Sequence, residues 1–413
     1  MHILIVCQFW PPEMGAPAAR FYDFGRQWVA RGHRVSVITA FPNFPDGVIP
    51  KPYRGEVYRH EVMDGIDVYR TYIFASPKLT AVSKGLGYLT FLLSASLFIL
   101  LCRLKYDVVI ATSPPPVMGL PGLLAAFKRR VPLVFDVRDI WPEALVLSGE
   151  LRNPLLISVL ERIEMMLYRL AGLVTVVTEG KRERLIERGV PADKLAVLWN
   201  GVDLASFDRQ SRTRLPSEFD GLDATAKWLV YAGVFNQAQG LDVILRAADL
   251  LRRQRPELYA SAQFVLIGHG AQREALCRLR DDLKLDRVAF LPIQPRAAVY
   301  AALRRSFAIL VTLRPRKDQH TIPSKIFESF ASERPIVLSA AGEVASVLEA
   351  SGGGRVCQPG DAEDLCATLA GLLEDAPAAD EIGRRGRGYV AEHFDRRRIA
   401  AEFLTEMGKA MAG

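Results

Sequence analysis

Thr321, Ile322, Pro323, Ser324, Lys325, Ile326, Phe327, Glu328 and Ser329 form one unbroken run. It follows an apolar strand pattern over 307–313 and a basic loop with Arg314, Arg316 and Lys317. Pro323 falls in the first turn of a predicted helix, where its missing N–H costs nothing. The free N–H groups and positive dipole end of such a helix attract an anion. Ser324 stands at this start, Lys325 adds a mobile charge, and Glu328 lies three residues on, over the same face. A cation for a phosphate and a carboxylate for ribose hydroxyls are thus set side by side, which is what holding a nucleoside diphosphate requires. The Ser324 to Glu328 gap is four residues and does not fit a capping box. An acidic residue that serves only the helix dipole remains open.

Other segments carry weaker signals. After the first strand, 11–20 include Gly15 in a small-residue loop through which backbone N–H groups could approach a ligand. A plain tight connection reads equally well, and the loop is no dinucleotide fingerprint. Asp136, Arg138, Asp139 and Glu143 crowd the end of an apolar strand, where ligands of parallel sheets bind. The bland alternative is an ion pair, Arg138 with Asp139 or with Glu143. Gly233 and Asn236 after one strand, and Gly268 and Gly270 after the next, could present backbone donors to phosphate or base. No nucleophile elbow, Walker loop or metal-spaced His/Cys cluster occurs, so no metal and no cofactor is expected.

These residues need sheets to hold them. Strand and helix signals alternate through nearly all 413 residues, which predicts α/β architecture with parallel sheets covered on both faces. The strands expected are 2–8, 34–40, 67–74, 106–112, 132–138, 173–179 and 195–199, then 228–234, 263–268, 287–292, 307–313, 335–340 and 355–358. Weak periodicity after 200–203 predicts a first domain over 1–204, a linker over 205–226, a second domain over 227–390 and a terminal helix over 391–413 that could cross back. Two doubly wound domains joined at a hinge would face each other across a cleft. The net charge of +7 favours anionic partners, yet no basic run interleaved with aromatics suggests nucleic acid. Five singly spaced cysteines and a first strand at the N-terminus read as a cytoplasmic protein.

Residues 85–102 contain no charge; Lys84 precedes them and Arg103 and Lys105 follow. Flanking strands of one sheet cannot straddle a bilayer, so the segment is either a buried core helix or a helix lying in the membrane interface. The lack of a charged stripe and the basic flanks favour the interface, with Leu92 and Phe98 as apolar anchors.

Taken together, the Gly15 loop, Gly32 to Val35, Asn200 to Asp203, Gly268 to Gly270, and Ser324 to Ala331 ahead of Arg334 to Val337 resemble the family-four retaining glycosyltransferases of GT-B fold. Residues 136–143 and 322–328 look like the branch that includes L-fucosamine transferases of O-antigen synthesis and colanic-acid enzymes. The resemblance implies a UDP-sugar donor, an N-acetylated amino sugar, on the C-terminal domain and the acceptor on the N-terminal one. It also implies retention without a metal, and a polyprenyl-diphosphate-linked saccharide acceptor in lipopolysaccharide, capsule or exopolysaccharide synthesis. Glu328 matches the second glutamate of the family's pair, while His320 replaces the first. Val234 and Gln239 replace the family's arginine and lysine, leaving Arg314, Arg316 and Lys325 to neutralise the diphosphate. Arg138 stands where a histidine is usual, and Asp139 and Glu143 are candidate bases. The location implied is peripheral, at the cytoplasmic face of the inner membrane. A sugar-nucleotide 2-epimerase of the same architecture and a non-catalytic nucleotide binder at the membrane surface are the competing readings.

Overall fold

The computed structural model describes residues 1–13, 16–78, 80–147, 149–315 and 320–412. Gly15 and Arg316, both expected at the donor, lie outside the described residues, as does Lys317. The chain divides into two compact units, 1–199 with 396–413, and 200–395.

The first unit is built on eight strands: β1 (His2–Val6), β2 (Arg34–Ala40), β3 (Tyr58–Met63), β4 (Ile66–Thr71), β5 (Val108–Ser113), β6 (Leu133–Val137), β7 (Leu173–Val176) and β8 (Leu195–Val197). Their order is β3-β4-β2-β1-β5-β6-β7-β8, with every pair parallel except the β3–β4 hairpin. Ile3 to Val6 are fully buried, as expected of a strand covered on both faces. The sequence reading missed β3, because its charged, alternating residues lack the apolar run of the central strands. Asp64 and Gly65 take left-handed φ values of 49° and 79° and close the hairpin that puts it on the edge.

Helices Ala16–Ala30 and Arg396–Ala412 cover one face of this sheet. Trp28 donates its indole N–H to the Ala400 carbonyl at 2.9 Å and packs on Phe403. The opposite face carries helices Ala81–Leu101, Gly119–Arg129 and Pro154–Leu170.

The apolar helix Ala81–Leu101 buries one narrow stripe, Gly87, Phe91, Ala95 and Ile99, each four residues after the last. Its opposite face turns Leu89, Leu93, Leu97 and Leu100 outward, with Leu93 58% and Leu97 57% exposed. It is neither a core helix nor one anchored through the residues expected. Leu92 and Phe98 are partly buried against the core, and Phe98 packs between Tyr58 and Tyr69, because each adjoins a buried stripe residue in sequence and lies seven positions, about two turns, from another, Leu92 from Ile99 and Phe98 from Phe91. Arg103 and Lys105 are exposed beyond its end. Lys128 donates to the carbonyls of Ile99, Leu100 and Cys102 at 2.6–2.8 Å and so satisfies the helix C-terminus.

The second unit holds β9 (Lys227–Ala232), β10 (Ala262–Ile267), β11 (Val288–Leu291), β12 (Ala308–Thr312), β13 (Ile336–Ser339) and β14 (Gly354–Cys357), all parallel, in the order β11-β10-β9-β12-β13-β14. The order reverses between β9 and β12, and the loops leaving these two strands carry the candidate chemistry. Residues 205–226 are no free linker. Asp203 caps the helix Leu204–Gln210, Phe207 packs on Tyr300 at 4.5 Å, and Asp208 binds Arg304 and Arg387. The unit therefore begins at 200, and residues 396–413 belong to the first unit.

Candidate functional site

At the strand C-termini of the second unit, the helix Lys325–Ala331 follows the turn that contains Pro323 and Ser324. Ser324 sits at the cap position, but its side chain makes no cap bond. Lys325 is not the mobile charge the sequence suggested. Its Nζ donates to Gln239 Oε1 at 2.6 Å and lies 4.1 Å from the centroid of the Tyr231 ring. Tyr231 donates its own hydroxyl to the same Gln239 oxygen at 3.0 Å. Among the described residues no carboxylate pairs with this amine, and burial pushes its pKa down to about 7. A poorly solvated amine with a neutral hydrogen-bond partner has much to gain from an arriving anion.

Gly233 adjoins this amine: a Cβ there would stand 3.3 Å from Lys325 Nζ and 2.9 Å from the Tyr231 hydroxyl. The glycines of the next loop serve packing. A Cβ on Gly268 would meet the Gly233 carbonyl at 1.9 Å, and one on Gly270 the Phe235 carbonyl at 2.4 Å. The N–H groups of Gly233 and Gly268 donate to Ile267 and Leu291, so neither is available to a phosphate as expected. Asn236 is likewise engaged: its side chain accepts from Gln239 N–H and caps a short 3₁₀ turn. Arg314 donates to Asp242 at 3.0 Å and would have to exchange that partner to reach an anion.

Glu328 is held by two groups that sequence reasoning missed. Its Oε1 accepts from the Tyr300 hydroxyl at 2.8 Å and from Arg296 at 3.4 Å, while Arg296 Nε donates to the Tyr300 hydroxyl at 2.6 Å. Among the described residues no donor takes Oε2, which leaves that oxygen for hydroxyls of a ligand. Arg296 and Tyr300 are four apart on the helix Arg296–Arg305, a spacing that could have signalled a shared face. Replacing Glu328 by Gln keeps the shape and removes the charge. We expect donor binding to weaken by ~1–3 kcal/mol, the scale of a charge-assisted hydrogen bond, read by calorimetric titration of the nucleotide. Unchanged affinity in a folded variant would mean that the carboxylate serves only its helix.

In the first unit the charged strand end separates into distinct roles. Asp136 on β6 is fully buried and accepts two bonds from Arg20 Nη1 at 2.7 and 2.8 Å. Thr112 on β5 and Thr175 on β7 each donate to it at 2.9 Å. Neither ion pair considered for Arg138 is formed. Asp139 binds Lys181 at 3.0 Å and Glu143 binds Arg184 at 3.0 Å, both partners coming from the helix Glu179–Glu187. Local spacing could not reveal partners some forty residues away. Arg138 Nε is buried and makes no hydrogen bond.

The match to known families follows these two halves. Residues 15–201 match the family described as Glycosyl transferase 4-like domain, and residues 217–389 that described as Glycosyl transferases group 1. The chain belongs to the group 1 glycosyltransferases with a 4-like N-terminal domain, and its architecture is GT-B, two Rossmann-like α/β domains. It is 24% identical over 417 residues to "Putative colanic acid biosynthesis glycosyl transferase WcaI" of Escherichia coli, covering 98% of this chain and 100% of that protein. Among solved structures, sucrose-phosphate synthase from Thermosynechococcus elongatus aligns with a TM-score of 0.73 at 17% identity, over 100% of this chain and 99% of that one. Anabaena HepE in complex with UDP aligns with a TM-score of 0.70 at 19% identity, over 99% and 100%.

Proposed function

We propose that the protein transfers a sugar, an N-acetylated amino sugar, from UDP to a polyprenyl-diphosphate-linked saccharide during bacterial surface-polysaccharide synthesis. The observation that carries the donor half is the presence on one helix, beside Gly233, of a buried Lys325 amine that meets no carboxylate among the described residues and of the open oxygen of Glu328. Gln239 occupies the position of a family lysine, and Lys325 Nζ reaches within 2.6 Å of its side chain. The cation lost from one loop is thus supplied from the neighbouring helix, which supports the same diphosphate chemistry. As the anomeric C–O bond breaks, charge builds on the β-phosphate, and this amine offsets it without a metal. The acceptor hydroxyl attacks from the same face and gives its proton to the departing phosphate, so configuration is retained and no separate base is required. The name of the E. coli relative supports an exopolysaccharide setting, and UDP in the HepE complex supports uridine as the base.

The outward leucine row supports a peripheral position at the cytoplasmic face of the inner membrane. The helix Ala81–Leu101 is long and apolar enough to cross a membrane, but its inner stripe is committed to the sheet. Leu155, 74% exposed, with Leu156 and Val159 on the helix Pro154–Leu170, extends apolar surface on the same side of the sheet. Changing Leu93 and Leu97 together to Glu is expected to lower vesicle partitioning by on the order of 10–100-fold. Activity on a short-chain, water-soluble acceptor should persist. Loss of cooperative unfolding in that double variant, with no gain of soluble active protein, would contradict the interfacial position.

The reaction is tested by incubating the protein with a panel of UDP-sugars, with and without lipid-linked saccharide. Release of UDP from one donor, dependent on the acceptor, is expected. Epimerised UDP-sugar without acceptor, or binding without turnover of any donor, would contradict transfer.

A further inference from the structure

The end of the apolar helix opposite Lys84 opens on a hollow of about 530 Å³, lined by His2, Arg34, Tyr58, Phe98, Arg103 and Lys105 among others. We propose that this hollow binds the phosphate headgroup of an anionic phospholipid and fixes the apolar helix to the bilayer; the proposal rests on the membrane position argued above.

Three observations converge here. The Arg103 and Lys105 side chains make no hydrogen bond or ion pair among the described residues, and both residues are exposed, so their charges are uncommitted. The nearby acids are already engaged: Asp67 by Arg34 at 3.1 Å and by His60, and Asp107 by the His2 backbone N–H at 2.7 Å. His2 is fixed through its ring contact with Ser36 at 2.9 Å. The wall is aromatic, Tyr58 stacking on Phe98 at 5.5 Å, and the exposed Leu97, Leu100 and Leu101 follow within two helical turns. A phosphate beside a wall of rings that leads onto leucines matches a headgroup with its acyl chains, whereas a soluble anion would have no use for the apolar side.

The hollow is not a place for the acceptor diphosphate. His2 and Arg34 are the first residues of β1 and β2, whereas the candidate chemistry stands at the C-terminal ends of the strands. Five to seven residues of strand separate the two edges, roughly 17–23 Å.

The test uses the full chain and two matched pairs of substitutions. Co-sedimentation with phosphatidylcholine vesicles, with and without phosphatidylglycerol, measures the preference for the anionic lipid. Arg103→Ala with Lys105→Ala should reduce that preference about tenfold or more, while Lys78→Ala with Lys84→Ala, the same loss of charge at the other end of the helix, should change it by less than about twofold. Equal losses for the two pairs would overturn the proposal in favour of diffuse attraction. A membrane-free arm separates it from the membrane reading. Dihexanoylphosphatidylglycerol below its micellar concentration should bind the wild-type protein and not the Arg103/Lys105 variant, and glycerol 3-phosphate should bind much more weakly. If no vesicle binds but the short-chain lipid does, the membrane position fails and the site stands. If vesicles bind but the short-chain lipid does not, the site fails and the membrane position stands.

Discussion

Replacing Lys325 by Met is expected to lower turnover about 10²–10³-fold with a much smaller change in donor KM, because the amine meets charge that grows as the diphosphate leaves. Met fills the same space against Tyr231, and the Tyr231 hydroxyl keeps its bond to Gln239. The fold should therefore survive, and the effect can be read as chemistry. A rise in KM with turnover intact would mean that the loop binds the ground state and transition state alike. The lowered pKa adds a second signature. Near pH 8 most of the amine is neutral in the free protein, and an arriving diphosphate recharges it. UDP binding should take up close to one proton, seen as a dependence of the calorimetric enthalpy on buffer, and Lys325→Met should abolish the uptake. The sign for stability follows from the same shift. Between about pH 7 and the ordinary lysine range the unfolded chain binds more protons than the folded one, so stability rises with pH there. It should do so more steeply in wild type than in Lys325→Met.

Breaking the buried pair in the first unit should produce the largest loss of stability. Arg20 and Asp136 are 1% and 0% exposed, and removing one partner strands the other without water. Arg20→Met is expected to cost ~3–5 kcal/mol, a fall of roughly 6–20 °C in the melting temperature of the first unit. The double variant Arg20→Met with Asp136→Leu should recover part of this, since a charge is then no longer buried alone. A melting temperature unchanged by Arg20→Met would show that Thr112 and Thr175 suffice to hold the carboxylate. Because Asp136 is spent in this way, its role is structural, unlike that of the partly exposed Asp139 and Glu143.

The central strands were legible in the sequence because burial on both faces forces long apolar runs, as in residues 2–6. β3 was not, since an edge strand can be polar and its pairing depends on the turn at Asp64 and Gly65. Lys325 and Glu328 were legible from their types and their three-residue spacing. What holds them was not: Gln239 and Tyr231 lie 86 and 94 positions before Lys325, and Tyr300 lies 28 before Glu328. Strand order alone brings them together. The glycines were read as openings for a ligand, yet Gly268 and Gly270 make room for backbone. The apolar helix was recognised, but its face was misjudged, because without charged residues nothing in the sequence distinguishes the stripe of Phe91 from that of Leu93. Only packing breaks that symmetry.

A structure of the protein with UDP bound tests the proposed donor site around Lys325 and Glu328 most directly. The β-phosphate should lie within hydrogen-bond reach of Lys325 Nζ, about 2.7–3.2 Å, with a ribose hydroxyl on Glu328 Oε2 while Tyr300 still holds Oε1. A nucleotide bound elsewhere, with Lys325 Nζ still on Gln239 and Glu328 Oε2 facing no ligand, would contradict it.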